Sequence, residues 1–147
     1  MGMTPKEYLS QIRALDEKLK HRKQQIEEIR TKCENISAID YSKDRVQTSN
    51  GNGQKLLLVK YLDLVKELEV DLLAFRIKQA NIIREIEKLS DDKYMRLLYA
   101  RYVQYKSLEQ IAVEMNYSFH WIRHVHGEAL EQFRKEVMEL RKENENG

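Results

Sequence analysis

Three of the four histidines of the chain lie close together, with an arginine, between Ser118 and Gly127. His120, Arg123 and His124 recur there at intervals of three and four residues, which places them on one side of a helix. Arginine and histidine donate to phosphate oxygens and to the edge of guanine, and a glycine allows another backbone to approach closely. The candidate DNA-contacting residues are Ser118, Phe119, His120, Trp121, Arg123, His124 and Gly127.

The cluster formed by His120, His124 and His126 could also be read as a metal-binding site. The surrounding residues disfavour this hypothesis. His120 and His124 share a helix face, but no third ligand falls on that face at a suitable spacing. The single Cys33 excludes a cysteine-based zinc site. The chain has no glycine-rich phosphate loop and no nucleophile beside a histidine. The sequence therefore predicts no metal, no cofactor, no small-molecule substrate and no enzymatic activity.

Two short helices joined by a tight turn are the elements that must position these side chains. Ser107 and Gln110 form the capping box that begins the first helix. Asn116 supplies the left-handed conformation that the turn requires, and Ser118 caps the second helix. The apolar positions expected to pack the second helix against its neighbours are Ile122, Val125 and Ala129. This order and spacing are typical of a helix-turn-helix, whose second helix enters the major groove.

Two long amphipathic helices precede this motif. Thr4 is the expected N-cap of the first, and apolar residues then recur every three or four positions as far as Ile36. A second stripe of the same kind ends at Leu89. The predicted boundaries are helices at about 5–37 and 55–89 and a loop at 38–54, around the turn-forming Ser-Asn-Gly-Asn-Gly run. Two such helices bury their stripes as a long antiparallel hairpin of coiled-coil type.

The predicted fold class is therefore all-α, with two domains. Residues 1–89 form the hairpin, and residues 90–147 form the helix-turn-helix domain, with Ser90 as its first N-cap. Apolar residues outside the two stripes, such as Val70 and Leu73, make the hairpin surface wider than a two-stranded seam needs. We therefore expect a homo-oligomer.

The near balance of basic and acidic residues means that the composition alone does not indicate binding to nucleic acid. The chain has 26 Lys and Arg residues against 24 Asp and Glu residues, so the DNA hypothesis depends on pattern rather than on net charge. No apolar run approaches the roughly 18 residues that span a bilayer. We therefore expect a cytoplasmic protein with no membrane partner.

Four short motifs lie between residues 89 and 134. They are Ala100-Arg101-Tyr102, Ser107-Leu108-Glu109-Gln110-Ile111-Ala112, Met115-Asn116-Tyr117-Ser118 and Ala129-Leu130. This segment resembles region 4 of bacterial sigma factors. The layout of the whole chain is similar to that of phage and prophage transcriptional regulators of the ArpU and RinA type. Asn116, Trp121 and Val125 depart from the residues that sigma factors carry there, so the resemblance implies no particular promoter sequence.

The resemblance implies a sequence-specific DNA-binding transcriptional regulator of phage or prophage genes. Double-stranded DNA is its expected partner, read by the helix after Ser118. The N-terminal helices would oligomerise or contact a partner, and a contact with RNA polymerase is left open. Two alternatives remain, a phage DNA-packaging subunit of the small-terminase type and a helical interaction module that no longer binds DNA.

Overall fold

A computed structural model describes the backbone of residues 2–42 and 48–147 and the side chains of residues 2–35 and 53–147. Helices account for nearly all of this backbone, and no strand occurs in it, which confirms the all-α fold class. None of these helices combines the length and the apolarity that crossing a membrane requires. The elements are α1 (Pro5–Leu9), α2 (Gln11–Ser42), α3 (Thr48–Glu87), α4 (Asp92–Leu98) continued by a π-helical segment (Tyr99–Val103), α5 (Leu108–Met115), α6 (Phe119–Phe133) continued by a second π-helical segment (Arg134–Glu139), and α7 (Leu140–Asn146).

The first helix begins where the sequence predicts. The Thr4 hydroxyl accepts from the Glu7 amide at 3.1 Å, and the Glu7 carboxylate accepts from the Thr4 amide at 3.1 Å. This reciprocal pair satisfies two of the amides that a helix start leaves without partners. Only Ser10 separates α1 from α2, so the predicted helix at about 5–37 is present in two pieces and extends further, to Ser42.

The predicted loop at 38–54 is wrong at both of its ends. Helix α2 continues to Ser42, and α3 already begins at Thr48, so the Ser49–Gly53 run belongs to a helix. Residues 43–47 lie outside the described part of the chain. Asparagine and glycine cost a helix only about 0.5–1 kcal/mol each, and no proline interrupts the run. Propagation from the long apolar segment that follows therefore outweighs their weak propensity.

The compact units of the chain are not divided at residue 89, where the sequence places a domain boundary. One unit consists of Met1–Leu15 and Phe75–Gly147, and the other of Asp16–Ala74. In the first unit, the start of the chain and the last turns of α3 share a core with α4, α5, α6 and the two π-helical segments. Their side chains supply apolar area that the short C-terminal helices need in order to bury their own.

The Asp16–Ala74 unit is a pair of antiparallel helix segments. Arg22 of α2 contacts Glu67 of α3 at 2.6 Å, and Lys18 lies 4.0 Å from Asp71, so residue numbers fall along α3 as they rise along α2. Leu19 is the most deeply buried of its described side chains, while the inward side chains of α3 in this unit are only half-buried. Two helices alone cannot enclose a side chain from all directions, which explains this shallow burial.

The other unit contains a well-packed core. Apolar side chains from every helix from α3 to α6 meet there, and Phe133 is the largest of the fully buried ones. The other fully buried large side chains are Leu9, Ile12, Ile82, Ile86, Leu97, Leu98, Ile111, Ile122 and Val125. This core fixes the orientation of α6, because one whole side of that helix lies inside it.

The N-cap predicted at Ser90 is wrong by one residue. Asp91 caps α4, and its carboxylate accepts from the amides of Lys93 at 2.8 Å and Tyr94 at 3.4 Å. A charged carboxylate is the stronger acceptor for these amides. The Ser90 hydroxyl instead donates to Glu136 at 2.6 Å, which ties the start of α4 to the second π-helical segment.

Candidate nucleic-acid interface

The turn between α5 and α6 has the local geometry that the sequence predicts. Ser107 and Gln110 form the expected capping box at the start of α5, with a distance of 3.2 Å from the Gln110 amide to the Ser107 hydroxyl. Asn116 is left-handed, with a φ of 62°. The Tyr117 amide donates to the Ala112 carbonyl at 2.9 Å, which closes the end of α5. An eight-residue helix, a short turn and a fifteen-residue helix follow one another here.

The core holds one side of α6 and the turn holds its beginning. The Ser118 hydroxyl accepts from the Trp121 amide at 3.1 Å, as expected of an N-cap. The side chains of Ile122, Val125 and Ala129 are fully buried, as the sequence predicts. Because these residues recur at helical spacing, the opposite side of α6 must face solvent.

All seven candidate DNA-contacting residues are exposed. His120, His124 and Gly127 lie at the centre of the outward side of α6, since successive residues turn by about 100° around the axis. Phe119 and Arg123 lie on one flank of this side, and Trp121 lies on the other. Phe119 and Trp121 each keep 42% of their surface exposed, which is high for aromatic side chains. Ser118 precedes them at the N-terminus of the helix.

Arg123 is available to an external partner. Its guanidinium lies 5.7 Å from the centre of the Phe119 ring, a cation–π contact that limits its motion. It forms no ion pair with any side chain that the structure describes. The charge is therefore held in place without being neutralised, beside the helix N-terminus, where the helix dipole also favours an anion.

His124 is engaged by its neighbours. Its Nε2 atom lies 2.8 Å from a carboxylate oxygen of Glu128, and its ring lies 5.5 Å from that of Trp121. The Tyr94 hydroxyl donates to the other Glu128 oxygen at 2.9 Å, and this bond raises the pKa of Tyr94. The Glu128 carboxylate repels phosphate on the Trp121 flank, so the Arg123 flank is the more favourable one for an anion.

Gly127 has no structural role that the fold explains. It lies in the interior of α6, its φ is negative, and a Cβ built on it would meet no atom within 4 Å. Glycine in a helix interior costs about 1 kcal/mol relative to alanine. Neither backbone geometry nor packing within the described residues requires this glycine.

His126 does not belong with the exposed histidines. Its Nε2 atom lies 2.8 Å from the Tyr102 hydroxyl, and the two rings stack with centres 5.8 Å apart. Burial, helped by the positive charges of Arg101 and Lys6, lowers the pKa of His126 to about 4. Burial likewise raises the pKa of Tyr102 to about 12. The sequence grouping of His126 with His120 and His124 is therefore wrong, because His126 lies at the edge of the buried side of α6.

Sequence reasoning also missed residues outside α6. Lys6, Arg13 and Arg101 line one cleft with Tyr105, which is left-handed with a φ of 60°. Positions 6, 13 and 101 have no linear relationship that a motif search detects, because only the tertiary fold brings them together. Among residues 2–35 and 53–147, no group of three or more His, Cys, Asp or Glu side chains is arranged to hold a metal ion.

Comparisons with protein-family models, with curated proteins and with solved structures returned no match for this chain.

Proposed function

We propose that this protein is a sequence-specific DNA-binding transcriptional regulator of phage or prophage genes. Helix α6 would lie in the major groove, with Arg123 as its principal contact. The observation that carries the proposal is the outward side of α6, where an un-neutralised Arg123 stands one turn from Gly127 and the opposite side is fixed in the core. A rigid helix that presents a free cation beside an unobstructed backbone suits groove recognition.

Local geometry and sequence pattern support the same proposal. The capping box of α5, the left-handed Asn116 and the N-cap at Ser118 are the features that a helix-turn-helix needs. They coincide with the motifs that resemble region 4 of sigma factors. The recognition helix would use Ser118 and the first amides of α6 for a phosphate, and His120, Arg123 and His124 for base edges or further phosphates.

A second copy of the chain is the partner that fits the exposed face of α3. Within residues 56–73, α3 carries apolar side chains on two opposite sides, because its outward stripe lies about half a turn from the half-buried one. The outward stripe consists of Leu56, Val59, Leu62, Val70 and Leu73, and each keeps about half or more of its surface exposed. A contiguous apolar stripe of this kind marks an association surface.

The stripe is complementary to itself in one antiparallel register. When Leu56 of one copy faces Leu73 of the other, Val59 faces Val70 and Asp63 faces Lys66. Each pair then occurs twice, as two-fold symmetry requires. Asp63 and Lys66 form no ion pair with the described residues of their own chain, so both charges are available for this contact. A dimer would present two copies of α6 to two half-sites.

A charge exchange tests this interface. Asp63→Lys and Lys66→Asp should each place like charges opposite one another and weaken the dimer, and the double variant should restore it. Sedimentation equilibrium of the three variants and the parent measures the effect, and Glu87→Lys, an exposed position at the end of α3 beyond the stripe, is the matched control. A parent chain that remains monomeric at high micromolar concentration would refute the dimer.

The DNA proposal is tested by selection from a random duplex library followed by binding titrations. Arg123→Ala should weaken binding to the selected duplex by about 1–3 kcal/mol and relax preference at one base pair if Arg123 contacts guanine. Arg84→Ala removes an equal charge from the exposed surface of α3 and should leave the selected sequence unchanged. Unchanged binding by Arg123→Ala would contradict the assignment of α6 as the recognition helix.

An interaction module is the second candidate, because the α5–α6 corner also carries exposed apolar side chains. Val113 keeps 78% of its surface exposed, and Tyr117 keeps 41%. Such residues on a rigid corner are typical of a protein contact as well. Failure of the random library to yield any bound duplex, with the chain folded, would favour this candidate. An oligomer larger than a dimer in sedimentation that forms closed rings in electron micrographs, together with DNA binding, would favour the packaging alternative.

A further inference from the structure

A cleft between the start of the chain and the first π-helical segment has a composition that suits an anion. It encloses about 180 Å³ and lies wholly within the unit formed by Met1–Leu15 and Phe75–Gly147. Lys6 and Arg13 line one wall, and Arg101 and Tyr102 line the other. No carboxylate lines it, which is unusual in a chain with almost as many acidic as basic residues.

Two of the three cations of this cleft, Lys6 and Arg101, have no acidic partner among the described side chains. Lys6 forms no ion pair with any described side chain. Arg101 donates from one nitrogen to the Lys106 carbonyl at 3.0 Å, which fixes its direction and leaves its charge uncompensated. The combined positive field is felt at His126, whose pKa is lowered by Arg101 and Lys6 in addition to burial. Like charges that lie close together without acidic partners repel one another, so their arrangement indicates a negative partner that comes from outside.

Tyr105 shapes the opening of the cleft. Its left-handed backbone, with a φ of 60°, is uncommon for a bulky residue and is strained. Strain of this kind persists where the surrounding structure imposes it, and it is concentrated at functional sites. The Tyr105 ring lies 5.6 Å from the Arg13 guanidinium, so the conformation places an aromatic support under one of the three cations.

We infer that this cleft binds a phosphate group, with Lys6, Arg13 and Arg101 as its charged ligands and the Ser10 hydroxyl as a further donor. A phosphate ester carries three or four acceptor oxygens that point in different directions, whereas a carboxylate carries two in one plane and is satisfied by one arginine. Donors on opposite walls of a small cleft therefore match the tetrahedral group. The volume admits the phosphate itself and leaves attached groups outside.

The backbone of bound DNA is the favoured source of this phosphate, and to that extent the inference depends on the proposed function. Tyr102 lines the cleft and its hydroxyl lies 2.8 Å from the Nε2 atom of His126, which lies three residues after Arg123 on α6. The cleft is therefore beside the same flank of α6 that carries Arg123 and Phe119. A protein that inserts a helix into the major groove also contacts the sugar-phosphate backbone that borders the groove. A free phosphate compound is the other source of the same chemistry.

Lys6→Gln in the full chain tests both sources, because Lys6 is exposed and its loss does not disturb the core. Lys88→Gln, an exposed lysine just beyond α3, is the matched control. Inorganic phosphate is titrated while the amide resonances of Arg101 to Tyr105 are followed by NMR. Separately, binding to a duplex of unrelated sequence is measured as a function of salt concentration.

If the DNA backbone supplies the phosphate, Lys6→Gln should weaken binding to every duplex by about tenfold and lower the salt slope by about one, while Lys88→Gln changes neither. Saturable resonance shifts with inorganic phosphate that Lys6→Gln abolishes, without any effect on DNA, would support the cleft and assign it to a free phosphate compound. The same shifts in a chain that binds no DNA would support the cleft while refuting the proposed function. Equal behaviour of parent and Lys6→Gln in both measurements would overturn the inference.

Discussion

The Tyr102 hydroxyl and the Nε2 atom of His126 lie 2.8 Å apart, and this contact joins the first π-helical segment to α6. Both residues are largely removed from solvent, and both are held in their neutral forms, since the pKa of Tyr102 is raised to about 12 and that of His126 is lowered to about 4. The contact between the two segments is therefore made by two neutral side chains.

Acid should destabilise the folded chain through His126. In the unfolded chain histidine titrates near 6.5, whereas in the folded chain the pKa of His126 is about 4. Between these values the unfolded state binds a proton that the folded state does not, so this contribution to stability is complete above about pH 6.5 and is lost as the pH falls towards 4. After allowance for partial solvent exposure, we expect a loss of about 1–2 kcal/mol, measured by urea unfolding at a series of pH values.

The control for this pH dependence is His120→Gln, which removes an exposed histidine. It should keep the slope of the parent chain between pH 6.5 and 4, whereas His126→Gln should flatten it. An identical slope in His126→Gln and the parent would show that other groups cause the acid sensitivity.

Gly127→Ala should separate stability from recognition. The added methyl group meets no protein atom within 4 Å, so the fold should gain about 0.5–1 kcal/mol from the better helix former. Binding to the selected duplex should weaken if a nucleic-acid backbone approaches α6 at this position. Thermal unfolding and a binding titration on the same sample measure the two effects. Stronger DNA binding by the alanine variant would contradict close approach at Gly127.

Asn116 should tolerate glycine better than alanine. Its φ of 62° is reached by glycine without strain and by alanine at a cost of about 1 kcal/mol. Asn116→Gly should therefore be as stable as the parent or slightly more stable, and Asn116→Ala should be less stable. Chemical unfolding of both variants provides the measurement, and the reverse order would mean that the Asn116 side chain itself stabilises the turn.

Truncation should cost more at Ile82 than at Leu68, although both lie on the predicted apolar stripe of α3. Ile82 is fully buried in the core, whereas Leu68 is half-buried between two helix segments. We expect Ile82→Ala to lower the free energy of unfolding by about 2–4 kcal/mol and Leu68→Ala by about 1 kcal/mol. Equal losses in urea unfolding would show that the α2–α3 seam is as tightly packed as the core.

Local rules were enough for much of the helix architecture. The capping boxes at Thr4 and Ser107, the N-cap at Ser118 and the left-handed Asn116 each depend on residues within a few positions of one another. Such signals are legible in sequence, because a side chain of fixed length must reach a backbone group at a fixed spacing. The same reasoning gave the buried and exposed sides of α6, since the side that packs is set by helical periodicity.

The helix boundaries and the long-range contacts of individual side chains could be determined only from the folded chain. The Ser49–Gly53 run is poor in helix formers and is helical nonetheless, because a long neighbouring helix propagates through it. Asp91, rather than the predicted Ser90, caps α4, and the Ser90 hydroxyl donates instead to Glu136, which is distant in sequence. In both cases the intrinsic preference of a residue is outweighed by the helix or the side chain that it contacts in the folded chain.

By itself, the sequence determined an all-helical chain, the helix-turn-helix spacing and the exposed row that contains His120, Arg123 and His124. Only the tertiary structure decided that His126 turns inward to Tyr102, that Arg123 has no acidic partner among the described residues, and that Lys6, Arg13 and Arg101 share a cleft. The physical reason is that periodicity specifies the direction of a side chain about its own helix. The packing of helices from distant parts of the chain specifies what that side chain meets.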